Sequence, residues 1–134
     1  MVQIEGKYAN YKNENLDAYF ADIGVPYIPR KMICSSKPNM EIVKENDTWT
    51  ISTSTLLKTT VLKFKLNEEY EESMPGGTLK NTTTMEGDNK LITKSVGPGD
   101  IKSARDYEFN DDECIITFSS EKTTQVAKRF FKRV

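Results

Sequence analysis

The chain contains no histidine, so neither a Ser-His-Asp nor a Cys-His nucleophile arrangement can be built from it. Cys34 and Cys114 are far apart and form no CxxC pair, which excludes a structural zinc site. The glycines make neither a phosphate loop nor a dinucleotide fingerprint. An enzyme would have to work with carboxylates and lysines alone. The acidic runs Glu68-Glu69-Tyr70-Glu71-Glu72 and Asp111-Asp112-Glu113 lie at the ends of expected strands. Neither has the ligand spacing of a calcium loop, so both read as solvated turn charges. No metal, no cofactor and no enzymatic activity are expected.

The informative residues are arginines on strand faces. Across residues 102–110, one face carries Lys102, Ala104, Asp106, Glu108 and Asn110, and the other Ser103, Arg105, Tyr107 and Phe109. The charged face belongs outside. That places Arg105 among inward aromatics, where a guanidinium needs an anion, an acidic side chain or water, unless it snorkels out at the strand end. In the last strand Ala127, Arg129, Phe131 and Arg133 alternate with Val126, Lys128, Phe130 and Lys132, and the pattern alone does not say which set is inside.

The elements that must position these groups are short. Leu16, Tyr19, Phe20 and Ile23 recur at helical spacing, with Asn15 placed to cap the start and Gly24 to end the helix in a left-handed turn. A second helix is expected over 27–34, with Pro29 in its first turn and Lys37-Pro38 closing it. Neither helix is long enough to stand alone. From Asn39 onward the chain reads as strands every ten residues or so: 40–44, 49–55, 59–66, 79–85, 91–95, 102–109, 114–119 and 126–133. A leading strand over 6–12 brings the total to nine or ten, in antiparallel up-and-down order. Over 59–66, Thr60, Leu62, Phe64 and Leu66 form the inward face.

Composition bounds the class. With 134 residues, one domain spanning 1–134 is expected. Nineteen basic against twenty acidic residues give a net charge of −1, which argues against a nucleic-acid partner. The chain start shows no cationic flank with an apolar run, so a soluble cytosolic protein with free thiols is expected. Apolar content of 37% is low for a dry interior, and Asn81, Thr82, Thr83 and Thr84 put polar groups on both faces of one strand. A barrel curled around a cavity of hydroxyls and apolar groups fits this, as does a sandwich with a threonine-rich outer surface.

The sequence resembles the intracellular lipid-binding proteins, the cytosolic fatty-acid-binding and retinoid-binding family, over nearly its whole length. The likeness rests on the order and spacing of Gly6-Lys7-Tyr8, Glu14-Asn15-Leu16-Asp17, Ile23-Gly24-Val25, Arg30-Lys31, Lys37-Pro38-Asn39-Met40, Phe64-Lys65-Leu66, the 68–72 run, Glu86-Gly87-Asp88-Asn89-Lys90, residues 108–113 and Val126-Ala127-Lys128-Arg129. It implies an all-β, lipocalin-like fold: a ten-stranded antiparallel up-and-down barrel, a clam of two orthogonal sheets, with a helix-turn-helix lid at about 15–36. It further implies a monomeric, cytoplasmic carrier of one long-chain fatty acid or similar apolar carboxylate. A retinoid, carotenoid or bile-acid-like ligand, or an interaction module without ligand, are the alternatives.

By the same resemblance Arg129 matches the cavity arginine that binds the ligand carboxylate, which puts the odd face of the last strand inside. The usual tyrosine two residues on is Phe131, and the second clamp arginine falls on Tyr107. Arg105 and Tyr107 are therefore expected to exchange the roles of cation and hydroxyl. Further positions carried over are Leu16, Tyr19 and Phe20 on the first helix, Pro38 and Met40 after the second, Ile51 and Thr53 on an inner strand face, and Leu57 at the portal loop. Arg30 and Lys31 on the lid can steer an acid or touch an anionic membrane surface transiently.

Overall fold

The computed structural model describes residues 3–56, 58–74 and 77–134. The expected portal residue Leu57, and Pro75 and Gly76, lie outside the described residues. Ten strands follow in order: β1 (Gly6–Glu14), β2 (Asn39–Glu45), β3 (Thr48–Ser54), β4 (Thr59–Lys65), β5 (Glu69–Met74), β6 (Gly77–Glu86), β7 (Lys90–Val96), β8 (Lys102–Phe109), β9 (Glu113–Ser120) and β10 (Ala127–Arg133). Two helices, α1 (Leu16–Asp22) and α2 (Tyr27–Ser35), sit between β1 and β2.

Hydrogen bonds join the strands in one antiparallel ladder, β4-β3-β2-β1-β10-β9-β8-β7-β6-β5. The meander closes where β1 pairs with β10, Tyr8 opposite Arg133 and Glu14 opposite Lys128. Closure is not complete, because consecutive strands β4 and β5 are the two ends of the ladder and do not pair. Phe64 on β4 and Tyr70 on β5 bridge that gap by stacking, with ring centroids 4.9 Å apart and planes at 11°. Offset stacking of this kind gives a cohesive contact where the backbone gives none.

The strand faces follow the alternation. Thr60, Leu62, Phe64 and Leu66 turn in, while Val61, Lys63 and Lys65 are exposed. Tight turns set the register: β2 and β3 are joined by Asn46-Asp47, with Asn46 at φ 55°, a conformation its short polar side chain tolerates. Ile42, Trp49, Phe64, Leu91, Phe109 and Phe131 build the main core. Each large apolar side chain taken out of water contributes about 1.5–3 kcal/mol. One end of the barrel is closed by Arg133, which donates to Tyr8 Oη at 2.8 Å, Glu5 O at 2.9 Å and Asp111 O at 3.1 Å, and also to Gln3 O.

Two expectations are corrected. Asn15 does not cap α1 with its side chain: it lies at φ 56°, and its amide donates instead to Gln125 Oε1 at 2.8 Å and Val126 O at 3.1 Å. The pull toward the β9–β10 connection outcompetes the cap. The 68–72 acidic run is not a solvated turn but mostly strand β5, with Tyr70 and Glu72 on its inner face. Gly24, at φ 95°, does supply the left-handed residue after α1. The helices are tied together by Asp17 of α1, whose Oδ1 accepts from Arg30 Nε and Lys31 Nζ of α2, both at 3.0 Å.

Candidate functional site

The strands line a cavity of about 260 Å³, to which Phe20 of α1 and Ile33 of α2 also contribute. Its walls differ in chemistry. Met40, Ile51, Leu62, Ile116 and Phe131, from the β2–β4 and β9–β10 side, are apolar, whereas β5 and β8 present Glu72, Ser73, Arg105 and Tyr107. Elsewhere on β5 to β7 the inward polar groups bond one another: Tyr70 Oη meets Thr83 Oγ1 at 2.8 Å, which in turn meets Thr93 Oγ1 at 2.7 Å. Beside them Ser95 Oγ donates to Asn81 Oδ1 at 2.6 Å, and Asn81 Nδ2 donates to Glu72 Oε1 at 2.8 Å. The threonine-rich strand thus spends its inward hydroxyls within the wall, which is why so polar an interior is tolerated.

Arg105 is inward, as the alternation of β8 predicts. Its Nη2 lies 2.5 Å from Glu72 Oε1, with Nη1 3.4 Å from Glu72 Oε2. Glu72 is 7% exposed. Burial alone would favour deprotonating Arg105, but Tyr107 and Glu72 outweigh it and hold its pKa above the ordinary arginine value. Tyr107, two residues on, is buried beside Arg105; loss of solvation pushes its pKa up to about 12 against the opposing pull of the guanidinium.

Arg129 differs. The odd face of β10 is the buried one, and Arg129 is 8% exposed and lines the inner cavity. Its Nη2 donates to Ile33 O at 2.8 Å and to Ser36 Oγ at 3.4 Å, and its Nη1 to Ser36 O at 3.4 Å and Asn13 Oδ1 at 3.5 Å. All of these acceptors are neutral. Burial lowers the pKa of Arg129 with no carboxylate to offset it, although a guanidinium stays charged under any working condition. Two of the acceptors are carbonyls at the end of α2, where a cation also meets the negative end of the helix dipole.

Arg129, Tyr107, Phe131, Thr53, Pro38, Met40, Ile51 and Phe20 all line the inner cavity, and Arg105 borders it as well. Tyr19 faces a neighbouring chamber. Leu16 lines neither; it packs with Tyr19, Phe20 and Ala127 in a small core under α1, because a helix this short needs its first apolar residue as an anchor. Glu72 is the residue that sequence reasoning missed. The signal was Tyr70 and Glu72 at alternate positions, together with an inward Arg105 in need of an acidic partner.

A family model described as lipocalin / cytosolic fatty-acid binding protein family matches residues 5–103. A fatty acid-binding protein of Tyrophagus putrescentiae is 37% identical over 134 residues, covering 99% of each chain. Cellular retinoic acid-binding protein 2 of Mus musculus is 33% identical over 127 residues, covering 90% of this chain and 92% of its own. Among solved structures, a fatty acid-binding protein from brain tissue of Drosophila melanogaster superposes with a TM-score of 0.84 at 35% identity, covering 94% of this chain and 95% of that one.

Proposed function

This chain belongs to the lipocalin / cytosolic fatty-acid binding protein family, and on that premise we propose that it is a non-enzymatic carrier of one long-chain fatty acid or similar apolar carboxylate, held inside the barrel. The observation that carries the reading is the state of Arg129: a buried guanidinium on the cavity wall, bonded to neutral acceptors alone. A ligand carboxylate supplies the missing counter-charge. The Arg105–Glu72 pair speaks for Arg129 rather than Arg105 as its partner, and so against Arg105 taking the cation's half of the expected exchange with Tyr107. Tyr107, on the same cavity, offers the hydroxyl.

Magnitudes fit a carrier. About fourteen methylenes at ~0.8 kcal/mol each contribute roughly 11 kcal/mol, against an association cost of about 4–15 kcal/mol. Apolar burial alone leaves weak binding. Charge-assisted hydrogen bonds of ~1.5–3 kcal/mol add to this, and with an association cost at the low end of that range the sum reaches the roughly 8 kcal/mol of a micromolar complex.

No described helix is long and apolar enough to cross a membrane. The carrier reading has the protein monomeric in the cytosol, exchanging its ligand with membranes through the lid. Tyr27, Ile28 and Met32 of α2 are exposed apolar groups beside Arg30 and Lys31, which suits brief contact with an anionic surface.

Native mass spectrometry of the purified protein, followed by organic extraction, tests the reading. One fatty acid at one-to-one stoichiometry is expected. A bulkier apolar molecule in the extract, or an empty protein that also ignores fluorescent fatty acids, contradicts it.

A further inference from the structure

β1 carries one residue too many for its partner strand. Opposite β10, Asn10 faces Phe131, Lys12 faces Phe130, Asn13 faces Arg129 and Glu14 faces Lys128, so Tyr11 is bulged out of the pairing. Without the bulge, counting along the strand brings Lys12 opposite Arg129. With it, Asn13 takes that place, and Lys12 is exposed with its Nζ 3.5 Å from Glu14 Oε1. The bulge thus exchanges a cation for a neutral amide beside a buried guanidinium.

Asn10 holds this arrangement. Its Nδ2 donates across the bulge to Lys12 O at 3.2 Å and Phe130 O at 3.0 Å, and to Asn13 Oδ1 at 2.9 Å, the same oxygen that accepts from Arg129 Nη1 at 3.5 Å. Turning the Asn10 amide over would set its oxygen against those three oxygens, which fixes its orientation. Its Oδ1 is then left without a hydrogen-bond partner, the one such buried side-chain atom among the described residues. Asn10 is 7% exposed. An apolar side chain of the same shape would avoid that cost, so packing alone does not account for an asparagine here.

We propose that Asn10 and Asn13 are positioning residues that set the head-group specificity of the Arg129 site: Asn10 and the bulge place the neutral oxygen of Asn13 opposite the guanidinium, and so leave that cation open to the acid of an incoming ligand. The inference rests on the carrier reading above. A carboxylate in the place of Asn13 would satisfy Arg129 internally, as Glu72 satisfies Arg105 in the same barrel, and a lysine there would add a second buried cation. Arg129 and Phe131 line the inner cavity whereas Asn10 and Asn13 do not, so the two amides act through Arg129 and touch no ligand themselves.

The test titrates hexadecanoic acid and its methyl ester into delipidated wild type, Asn13→Asp and Asn10→Leu, with circular dichroism to confirm folding. Asn13→Asp keeps the shape of the side chain and puts a carboxylate opposite Arg129. The wild-type preference for the acid is expected to fall by about tenfold or more, with ester affinity changed less than about twofold. Asn10→Leu removes the amide that holds Asn13, and the unpartnered oxygen with it; the preference should fall by about threefold or more while the urea midpoint stays level or rises. An undiminished acid preference in folded Asn13→Asp, or equal losses for acid and ester, overturns the inference, the second by showing a merely structural role. Should Asn13→Asp fail to fold, an undiminished preference in Asn10→Leu overturns it as well. A wild type with no preference for the acid brings down the Arg129 reading itself, and this inference with it.

Discussion

Glu72 on β5 holds the guanidinium of Arg105 on β8 at 2.5 Å, and so neutralises one of the two arginines that border the inner cavity while leaving Arg129 facing neutral acceptors. The two strands are not neighbours; β6 and β7 lie between them in the ladder. The pair therefore spans the polar wall, with Asn81 and Ser95 bonded behind it. Breaking one side strands a charge in a low-dielectric interior. Glu72→Ala is expected to cost about 3–5 kcal/mol in urea unfolding, and Glu72→Met with Arg105→Met to recover most of that. A single-variant loss below about 1 kcal/mol would show the pair to be solvated.

The barrel's open seam gives a second prediction. Phe64 and Tyr70 stack where β4 and β5 fail to pair. A double-mutant cycle of Phe64→Leu and Tyr70→Leu should return a coupling of about 0.5–1.5 kcal/mol. Strict additivity would mean that the seam is held by something else.

Alkaline pH supplies a third. Burial raises Tyr8 and Tyr107 from the ordinary value of 10.0 to about 12, in Tyr8 against the opposing field of Arg133. A folded-state pKa above the unfolded one contributes stability that is complete below about pH 10 and lost as pH rises toward 12. Stability should fall across that window, and Tyr107→Phe should flatten the fall. Tyrosinate absorbance followed alongside circular dichroism checks it; free titration of every tyrosine near pH 10 in the folded protein contradicts it.

Gly6 carries the fourth. It sits at φ 149°, and a Cβ there would lie 2.4 Å from Arg133 Nη1. Arg133 is held by bonds to Tyr8, Glu5 and Asp111 and has little freedom to give way. Gly6→Ala is expected to lower stability by about 1–3 kcal/mol in thermal unfolding. A neutral substitution would show that end of the barrel to be adaptable.

Sequence legibility tracked how local the determining interactions are. The face of β8 could be read because acidic and basic residues alternate with aromatics within a single strand. The last strand could not be read this way, since cations and apolar groups alternate on both of its faces; the family resemblance chose the odd face, and burial of Ala127, Arg129 and Phe131 agrees. β5 was hidden because four glutamates around one tyrosine look solvated, and the group that draws Glu72 inward lies 33 residues further on. The acceptors of Arg129 include backbone carbonyls of Ile33 and Ser36, which carry no residue-type signal at all. Asn15 had the right chemistry for a cap but bonds instead to the β9–β10 connection, 110 residues away in sequence.

The most direct test of the central claim is calorimetric titration of a long-chain fatty acid and its methyl ester into wild type, Arg129→Met, and the neutralised Glu72→Met/Arg105→Met protein. Wild type should prefer the acid by about tenfold to a hundredfold, the worth of one or two charge-assisted hydrogen bonds. Arg129→Met should erase that preference and the neutralised pair should keep it. An ester bound as tightly as the acid by wild type, or a preference that survives in Arg129→Met and vanishes with the Glu72–Arg105 pair, would contradict the account.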